Sequence, residues 1–152
     1  MKTIGYAAES IGAPLVPYAF ERRALRANDV AMEILYCGVC HSDLHQVRDD
    51  WKNSLFPLVP GHEIVGRVIE VGTGVTRFKV GDAVAVGCII DSCMECDQCH
   101  HGEERFRREG MTPTYIGYDR ITGEITQAGS SKLVVVREAF VLSVPVAPSL
   151  SR

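Results

Sequence analysis

The feature that most constrains this chain is the stretch from Cys37 to Glu63, which carries metal-binding side chain types at both ends. Cys40 stands near its start, and the adjacent pair His62-Glu63 closes it. Zinc accepts thiolate, imidazole and carboxylate donors, and catalytic zinc sites use three protein ligands with one position left open. We therefore take Cys40, His62 and Glu63 as candidate metal ligands. From residue types alone, the alternative is an ordinary buried cysteine and a hydrogen-bonded core histidine.

Short segments of β-branched and near-alternating residues predict strands along most of the chain. The strongest is the run from Ile64 to Val71. Further strands are expected at 2–8, 30–36, 83–86, 132–137 and 140–144, with a second extended run after the prolines that follow the first. One short helix is expected from His41 to Val47, where Ser42 and His45 would share a face. Short strands separated by glycine-rich turns favour an all-β barrel or sandwich.

A glycine-rich turn begins like a dinucleotide-binding fingerprint but does not complete it. Gly72 and Gly74 are correctly spaced, yet Arg77 stands where the third glycine belongs. The residues that follow lead into another strand, whereas the fingerprint requires a helix. We therefore do not interpret this turn as a nucleotide site.

The segment from Cys88 to Gly110 is rich in cysteine. Cys93, Cys96 and Cys99 form two overlapping C-x-x-C turns that place three thiols close together on a short polar loop. This arrangement is typical of a structural zinc site, which normally has four ligands. Two interpretations stay open: a metal held by these thiols, and three free thiols on a loosened loop.

Composition excludes several classes of function. The 152 residues are 46% hydrophobic and 23% charged, which suits one globular domain and argues against disorder. A net charge of -3 and a pI near 5.9, without a long basic run, argue against nucleic acid as a partner. No apolar run approaches the roughly 20 residues that span a bilayer, and the start lacks the apolar core of a signal peptide. We expect a cytoplasmic protein that does not bind membranes and whose six cysteines are ligands or buried thiols.

Three blocks of the sequence together resemble a known family. They are the segments 38–45 and 59–66 and the Cys93-x-x-Cys96-x-x-Cys99 turns. In order and separation they are similar to the N-terminal half of zinc-dependent medium-chain alcohol dehydrogenases, nearest to the cinnamyl alcohol dehydrogenase and broad aldehyde reductase branch. The resemblance runs from near Met1 to about Pro145. It implies a mainly β, GroES-like, partly open barrel over 1–152, with short helices and a cysteine-rich lobe at about 88–110.

The resemblance also implies an activity. It is reversible hydride transfer between a small primary alcohol or aldehyde and NADP(H), with zinc held by Cys40, His62 and Glu63. Ser42 and His45 match the family's proton relay, in which a hydroxyl passes the alcohol proton to an imidazole.

Four neighbouring residues receive supporting roles. Asp50 is expected to support His45, although Asp50 could equally be a solvated acid and Ser42 a helix cap. Asp43 is expected to hold a ligand in place. His41 matches the position that approaches the cofactor phosphates, and Trp51 could line an apolar substrate wall or simply pack.

The lobe departs from the family pattern at its fourth ligand. The family has a cysteine eight positions after the third, and Arg107 stands there in this chain. A guanidinium cannot bind a metal, and its charge repels one. A water or one of four residues could supply the fourth ligand instead. The four residues are Cys88, Asp97, His100 and His101.

The Rossmann domain that follows in similar full-length enzymes has no counterpart in this sequence, and the ending departs from the family at about Pro145. We expect a catalytic-domain fragment that is inactive alone. The alternatives are a half-enzyme that needs a separate Rossmann chain, and a zinc-binding interaction module without catalysis. Strands after Lys132 that would pack on a partner are expected to expose an apolar face, through which the chain self-associates.

Overall fold

The structure, a computed structural model, describes residues 1–106 and 110–145. Within these ranges the strands are β1 Lys2–Ala7, β2 Val16–Glu21, β3 Asp29–Gly38, β4 Glu63–Val71, β5 Ala83–Val86, β6 Ile89–Asp91, β7 Thr112–Pro113, β8 Leu133–Arg137 and β9 Val141–Ser143. The helices are α1 His41–Val47 and α2 Asp97–His100, with 3-10 turns at Glu104–Phe106 and Glu138–Phe140. Each strand expected from the sequence is present, its ends differing by one or two residues.

A five-stranded antiparallel sheet forms the centre of the molecule, in the order β8-β3-β4-β5-β9. The register of β3 shifts twice against β4, and such bulges bend a strand and increase its twist. The β1–β2 hairpin attaches beside β8, where Tyr6 donates a backbone hydrogen bond of 2.8 Å to Ser130 and Lys132 donates one of 3.0 Å to Ile4. The sheet thus curls into the partly open, mainly β barrel that the sequence predicts.

The core lies inside the curl of the sheet. Alternate residues of one strand point to the same face, so valines, isoleucines and a methionine two apart line the interior. The buried members from the sheet are Val30, Met32, Ile64, Val68, Val84, Val86, Val134, Val136 and Val141. Burying one such side chain contributes about 1.5–3 kcal/mol, so this layer dominates the stability of the barrel.

The glycine-rich turn after β4 has a structural role. Gly72 donates a hydrogen bond of 2.8 Å to Asp29, and Gly74 donates one of 2.8 Å to Ala27. A side chain at Gly72 would overlap the carbonyl oxygen of Arg26, so only glycine allows the two chain segments to approach this closely. No helix follows the turn. Its glycines serve backbone packing.

A buried arginine ties the opening hairpin to the segment before β8. The guanidinium of Arg22 donates hydrogen bonds of 2.8 Å to Ala128 and 2.9 Å to Leu133, and others to Gln127 and Ser131. Desolvation, reinforced by the positive charge of Arg23, lowers the pKa of Arg22 to about 9. The carbonyl oxygens therefore replace the water that this buried cation would otherwise bind.

A second polar cluster lies at the base of the cysteine-rich lobe. Asp91, at the end of β6, accepts hydrogen bonds from Arg120 at 3.0 Å and Arg137 at 3.3 Å. Asp119 pairs with Arg26 at 2.6 Å and Arg23 at 3.2 Å. Burial alone would raise the pKa of Asp119, but the hydrogen bond from Arg26 and others from backbone N–H groups hold it below its ordinary value.

Candidate metal centre

The pairing of β3 with β4 assembles the first group of candidate ligands. Gly38 at the end of β3 lies opposite Glu63 at the start of β4, so the loop that follows β3 returns Cys40 towards His62 and Glu63. One ligand atom from each of these three side chains lies within 4.8 Å of the other two. His62 is buried, Cys40 is half-buried and Glu63 is exposed, so the cluster is open to a small molecule on one side.

Asp43, in the first turn of α1, connects the two chain segments that carry these ligands. Its Oδ2 accepts a hydrogen bond of 2.9 Å from the backbone N–H of Cys40. Its Oδ1 accepts one of 2.9 Å from the backbone N–H of Gly61. Asp43 is only 6% exposed, so water competes little for either bond. The sequence assigned Asp43 to holding a ligand, and the structure places it where it can do so.

His62 has a neighbour that the sequence gave no reason to expect. Its Nδ1 lies 3.0 Å from the hydroxyl oxygen of Tyr115 and 3.5 Å from Asp43 Oδ1. The two rings stack with centroids 5.6 Å apart. Burial, and then the negative charge of Asp43, raise the pKa of Tyr115, so it remains a neutral phenol. Tyr115 lies 53 residues from His62 in the chain, and no local pattern could connect them.

The residues of the predicted proton relay lie along α1 and just after it. Ser42 Oγ is 3.7 Å from Cys40 Sγ. His45 Nδ1 is 2.8 Å from Asp50 Oδ2, so the structure brings the expected imidazole and carboxylate together. No hydrogen bond joins Ser42 to His45 in the part of the chain that the structure describes. The relay residues are therefore adjacent to the ligand cluster but are not linked to one another.

His41 and Trp51 lie on either side of His45. The ring of His41 is 5.8 Å from the His45 ring, and the ring of Trp51 is 5.1 Å from it. Both are exposed, and 52% of Trp51 is accessible to solvent. Trp51 therefore packs on an imidazole rather than within the core.

The second group of candidate ligands lies in the lobe between β6 and β7, whose pairing closes the base of the lobe. The thiols of Cys93, Cys96 and Cys99 lie within 4.8 Å of one another. Backbone N–H groups, first that of Glu95 and then that of Cys96, stabilise the Cys93 thiolate and lower the pKa of Cys93 to about 7. The hydroxyl of Ser92 lies 2.9 Å from Cys99 Sγ. The three thiols are thus arranged as a metal site requires.

None of the four residues considered from sequence as a fourth ligand joins the lobe cluster in the described part of the chain. Across residues 1–106 and 110–145, no fourth cysteine, histidine or acidic ligand atom lies within 4.8 Å of all three thiols. This covers Asp97, His100 and His101. Arg107, the residue at the family's fourth ligand position, lies outside the described residues.

Cys88 belongs to the surroundings of the first cluster. Desolvation and then the negative charges of Cys40 and Glu63 raise the pKa of its thiol. Its backbone carbonyl accepts a hydrogen bond of 2.9 Å from Thr114, the neighbour of Tyr115. Proximity to the lobe thiols suggested Cys88 as a substitute ligand there, but β5 directs the chain to the other site.

Comparisons with known proteins concern the family and the fold of the chain. The alcohol dehydrogenase GroES-like domain family matches residues 26–146. A probable cinnamyl alcohol dehydrogenase 3 of Oryza sativa subsp. japonica is 48% identical over 98% of this chain, which spans 40% of that protein. The chain thus covers well under half the length of this relative.

Two solved structures are similar to the fold as a whole. A cinnamyl alcohol dehydrogenase of Sorghum bicolor matches 96% of this chain and 41% of its own, with a TM-score of 0.92 and 41% identity. The Helicobacter pylori cinnamyl alcohol dehydrogenase, complexed with NADP(H), matches 97% of this chain and 43% of its own, with a TM-score of 0.93 and 40% identity. None of the helices in the described part of the chain has the length and apolarity needed to cross a membrane. With the family match over most of its length, this chain belongs to the alcohol dehydrogenase GroES-like domain family.

Proposed function

We propose that this chain is the zinc-binding catalytic domain of an alcohol dehydrogenase that interconverts primary alcohols and aldehydes with NADP(H). The observation that carries the proposal is the meeting of Cys40, His62 and Glu63 at the joint of β3 and β4. The Helicobacter pylori structure, which is 40% identical, supports both parts of this proposal. The NADP(H) in that structure supports the cofactor, and its description as a cinnamyl alcohol dehydrogenase supports the substrate class.

The donor set fits zinc. A thiol, an imidazole and a carboxylate are three ligand types of catalytic zinc, and three protein ligands leave one position for a substrate oxygen. Zinc bound there supplies a Lewis acid that polarises an alcohol or carbonyl oxygen. Asp43 fixes the backbone on both sides of the cluster, which holds Cys40 and His62 in position before a metal arrives. The lobe thiols Cys93, Cys96 and Cys99 form the proposed second, structural site.

Proton transfer is assigned to residues of α1 and the turn after it. Ser42 lies beside Cys40, where its hydroxyl can accept the proton of a substrate alcohol and pass it outward. His45 takes that proton at the exposed surface of the helix, and Asp50 orients the ring through Nδ1 and stabilises its charged form. Since no hydrogen bond joins Ser42 to His45 within the described residues, a water or a substrate hydroxyl completes the path between them.

His41 is the one residue proposed to approach the dinucleotide, and the glycine-rich turn after β4 packs on the chain around Ala27. Because no other residue is assigned to the dinucleotide, we expect the 152-residue chain by itself to bind zinc but to show no turnover.

Zinc content tests the ligand assignment. Atomic emission spectrometry of purified wild type and of Cys40→Ser and His62→Gln variants is expected to show one zinc lost in each variant. The matched control is Cys37→Ser, which removes a thiol of the same segment that is not in the cluster. Unchanged zinc in Cys40→Ser and His62→Gln would disprove the assignment.

Aldehyde-dependent oxidation of NADPH separates the proposal from its alternatives. No turnover alone, with turnover after addition of a separate Rossmann chain, would identify a half-enzyme. Zinc binding without turnover under any complementation would favour an interaction module. Metal-dependent turnover by the isolated chain would contradict the expected inactivity.

A further inference from the structure

We propose that Tyr115 is a positioning residue that hydrogen-bonds to Nδ1 of His62 and thereby fixes the ring nitrogen that His62 offers to zinc. The inference rests on the proposed metal site. It concerns a residue that lies outside the three blocks on which the family resemblance rests.

The distances make the tyrosine the hydrogen-bond partner of the histidine. His62 Nδ1 lies 3.0 Å from the Tyr115 hydroxyl oxygen, within the usual range of a hydrogen bond. Its separation from Asp43 Oδ1 is 3.5 Å, which is beyond that range. The carboxylate therefore acts on the imidazole through its negative charge, and the same charge helps to raise the pKa of Tyr115.

Donor and acceptor roles then follow from the chemistry of the three groups. The negative charge of Asp43, 3.5 Å from Nδ1, favours an N–H at that nitrogen and an O–H of Tyr115 that points away from it. The lone pair of the same oxygen is left to accept the N–H at Nδ1 of His62. A neutral imidazole protonated at Nδ1 carries its free lone pair on Nε2, which is the atom available to a metal. The opposite tautomer would present an N–H to the ion and could not bind it.

Packing holds the tyrosine in place for this role. Tyr115 is 6% exposed and contacts Leu58 and Ala128 in a small apolar cluster, and its ring stacks on that of His62. Its neighbour Thr114 is fixed by a hydrogen bond of 2.5 Å from its hydroxyl to the Gly87 carbonyl. The hydroxyl of Tyr115 therefore has little freedom to move away from Nδ1.

The tautomer of His62 is the direct test, and it does not require zinc. Long-range nitrogen–proton NMR correlations of the zinc-free wild type, at a pH of about 8 where histidine is neutral, are expected to show His62 protonated at Nδ1. In Tyr115→Phe, which keeps the ring and removes the hydroxyl, the population protonated at Nε2 is expected to rise. Protonation at Nε2 in the wild type, or no change in the variant, would overturn the proposal.

Zinc affinity provides the second readout. Loss of an outer hydrogen-bond partner typically weakens metal binding about 10–100-fold, and we expect this for Tyr115→Phe in competition with a chromophoric chelator. Tyr118→Phe, an exposed tyrosine in the same loop, is the matched control and should bind as wild type does. Equal affinity in Tyr115→Phe and wild type, or equal losses in both variants, would contradict the positioning role of Tyr115. If the wild type binds no zinc, the proposed function fails, while the tautomer result still decides the role of Tyr115. If Tyr115→Phe does not fold, the wild-type tautomer alone decides it.

Discussion

Asp43 and Gly61 are joined by a hydrogen bond of 2.9 Å between a buried carboxylate and a backbone N–H, although 18 residues separate them. The second oxygen of the same carboxylate binds the backbone of Cys40. One side chain thus fixes the spacing between the chain segments that carry the candidate ligands. The ligand cluster is consequently preorganised by a charge that is not itself a ligand.

Replacing this carboxylate by an amide should therefore weaken both the fold and the metal site. In Asp43→Asn one oxygen becomes an NH2 group that faces a backbone donor, and an unsatisfied buried donor costs about 1–3 kcal/mol. We expect the free energy of unfolding in urea to fall by that amount and zinc affinity to fall about 10–100-fold. Asp82→Asn is the control, because Asp82 also accepts a backbone N–H, from Lys79, but lies in an exposed turn. Equal effects of the two substitutions would contradict the special role of Asp43.

The lobe should hold zinc less firmly than the first cluster. Three thiols without a fourth protein ligand bind zinc weakly, and the arginine at position 107 adds a repelling charge. We expect a first zinc that resists mild chelation and a second that is substoichiometric. Arg107→Cys should restore the second zinc and protect the lobe from proteolysis, because it recreates the family's spacing.

Arg108→Cys is the control for that experiment, since it adds the same thiol one position later. Emission spectrometry of all three proteins gives the zinc content. Two tightly held zinc ions in the wild type, or no increase in zinc content in Arg107→Cys, would show that the number of donor side chains does not determine zinc binding here.

Trp51 should report its contact with His45. The chain has a single tryptophan, and its ring lies 5.1 Å from the His45 ring. We expect the tryptophan fluorescence to change in His45→Gln, because this substitution removes the ring on which Trp51 packs. His41→Gln is the control and should fluoresce as wild type does; the same emission in all three proteins would rule out the contact.

The charge cluster around Asp119 predicts how stability depends on pH. Because the pKa of Asp119 is lowered in the folded state, the carboxylate stabilises the fold at pH values above its unfolded pKa of about 4. That contribution is lost as the pH falls below about 4 towards the lower folded pKa. We expect the free energy of unfolding of Asp119→Asn at neutral pH to be about 1–3 kcal/mol lower than that of wild type. It should also decrease less steeply as the pH falls.

Glu70→Gln is the control, because this acid is exposed on β4. Urea unfolding between about pH 7 and pH 3, the range that brackets the ordinary pKa of an aspartate, measures both effects. If the free energy of unfolding of Asp119→Asn fell with decreasing pH as steeply as that of wild type, groups other than Asp119 would be responsible for the acid sensitivity.

The apolar face that the sequence places on the strands after Lys132 is largely covered, because Val134, Val135 and Val136 of β8 are buried. An apolar groove between β1, β3 and the segment before β8 should instead make the chain self-associate. Its volume is about 460 Å3, and its exposed apolar residues are Ile4, Tyr6, Leu35 and Tyr36, which are 50%, 56%, 48% and 61% accessible. Large apolar patches usually find a partner, and a second copy is always present in solution. Sedimentation velocity should show association that increases with concentration and is lost in Leu35→Lys. Leu142→Lys on β9, outside the groove, is the control, and a monomer at all concentrations would refute the prediction.

The sequence predicts the main strands well because their apolar residues alternate. Every strand of the central sheet was expected, and α1 begins and ends at the predicted residues. β6, α2 and β7 were not, since segments of two to four residues carry no measurable period. Their pairing at the base of the lobe is determined by tertiary contacts, among them those of Asp91.

Some residues of the candidate site could likewise be predicted from the sequence, and others could not. Cys40, His62 and Glu63 stand in two recognisable blocks, and the pairing of β3 with β4 explains why they meet. Tyr115 lies on a loop far along the chain, between β7 and β8, and contacts His62 across 53 residues. No local pattern could identify it or place Cys88 beside the first cluster.

The strand order implies a sequence of folding events. β3, β4 and β5 are neighbours both in the chain and in the sheet, whereas β8 joins β3 across most of the chain's length. Pairings between residues close in sequence cost less loop entropy and form sooner. The nascent β3–β4 hairpin would therefore bring Cys40, His62 and Glu63 together before Tyr115 arrives with the later strands. A metal ion captured at that stage would act as a nucleation point, so zinc should accelerate refolding as well as stabilise the final state.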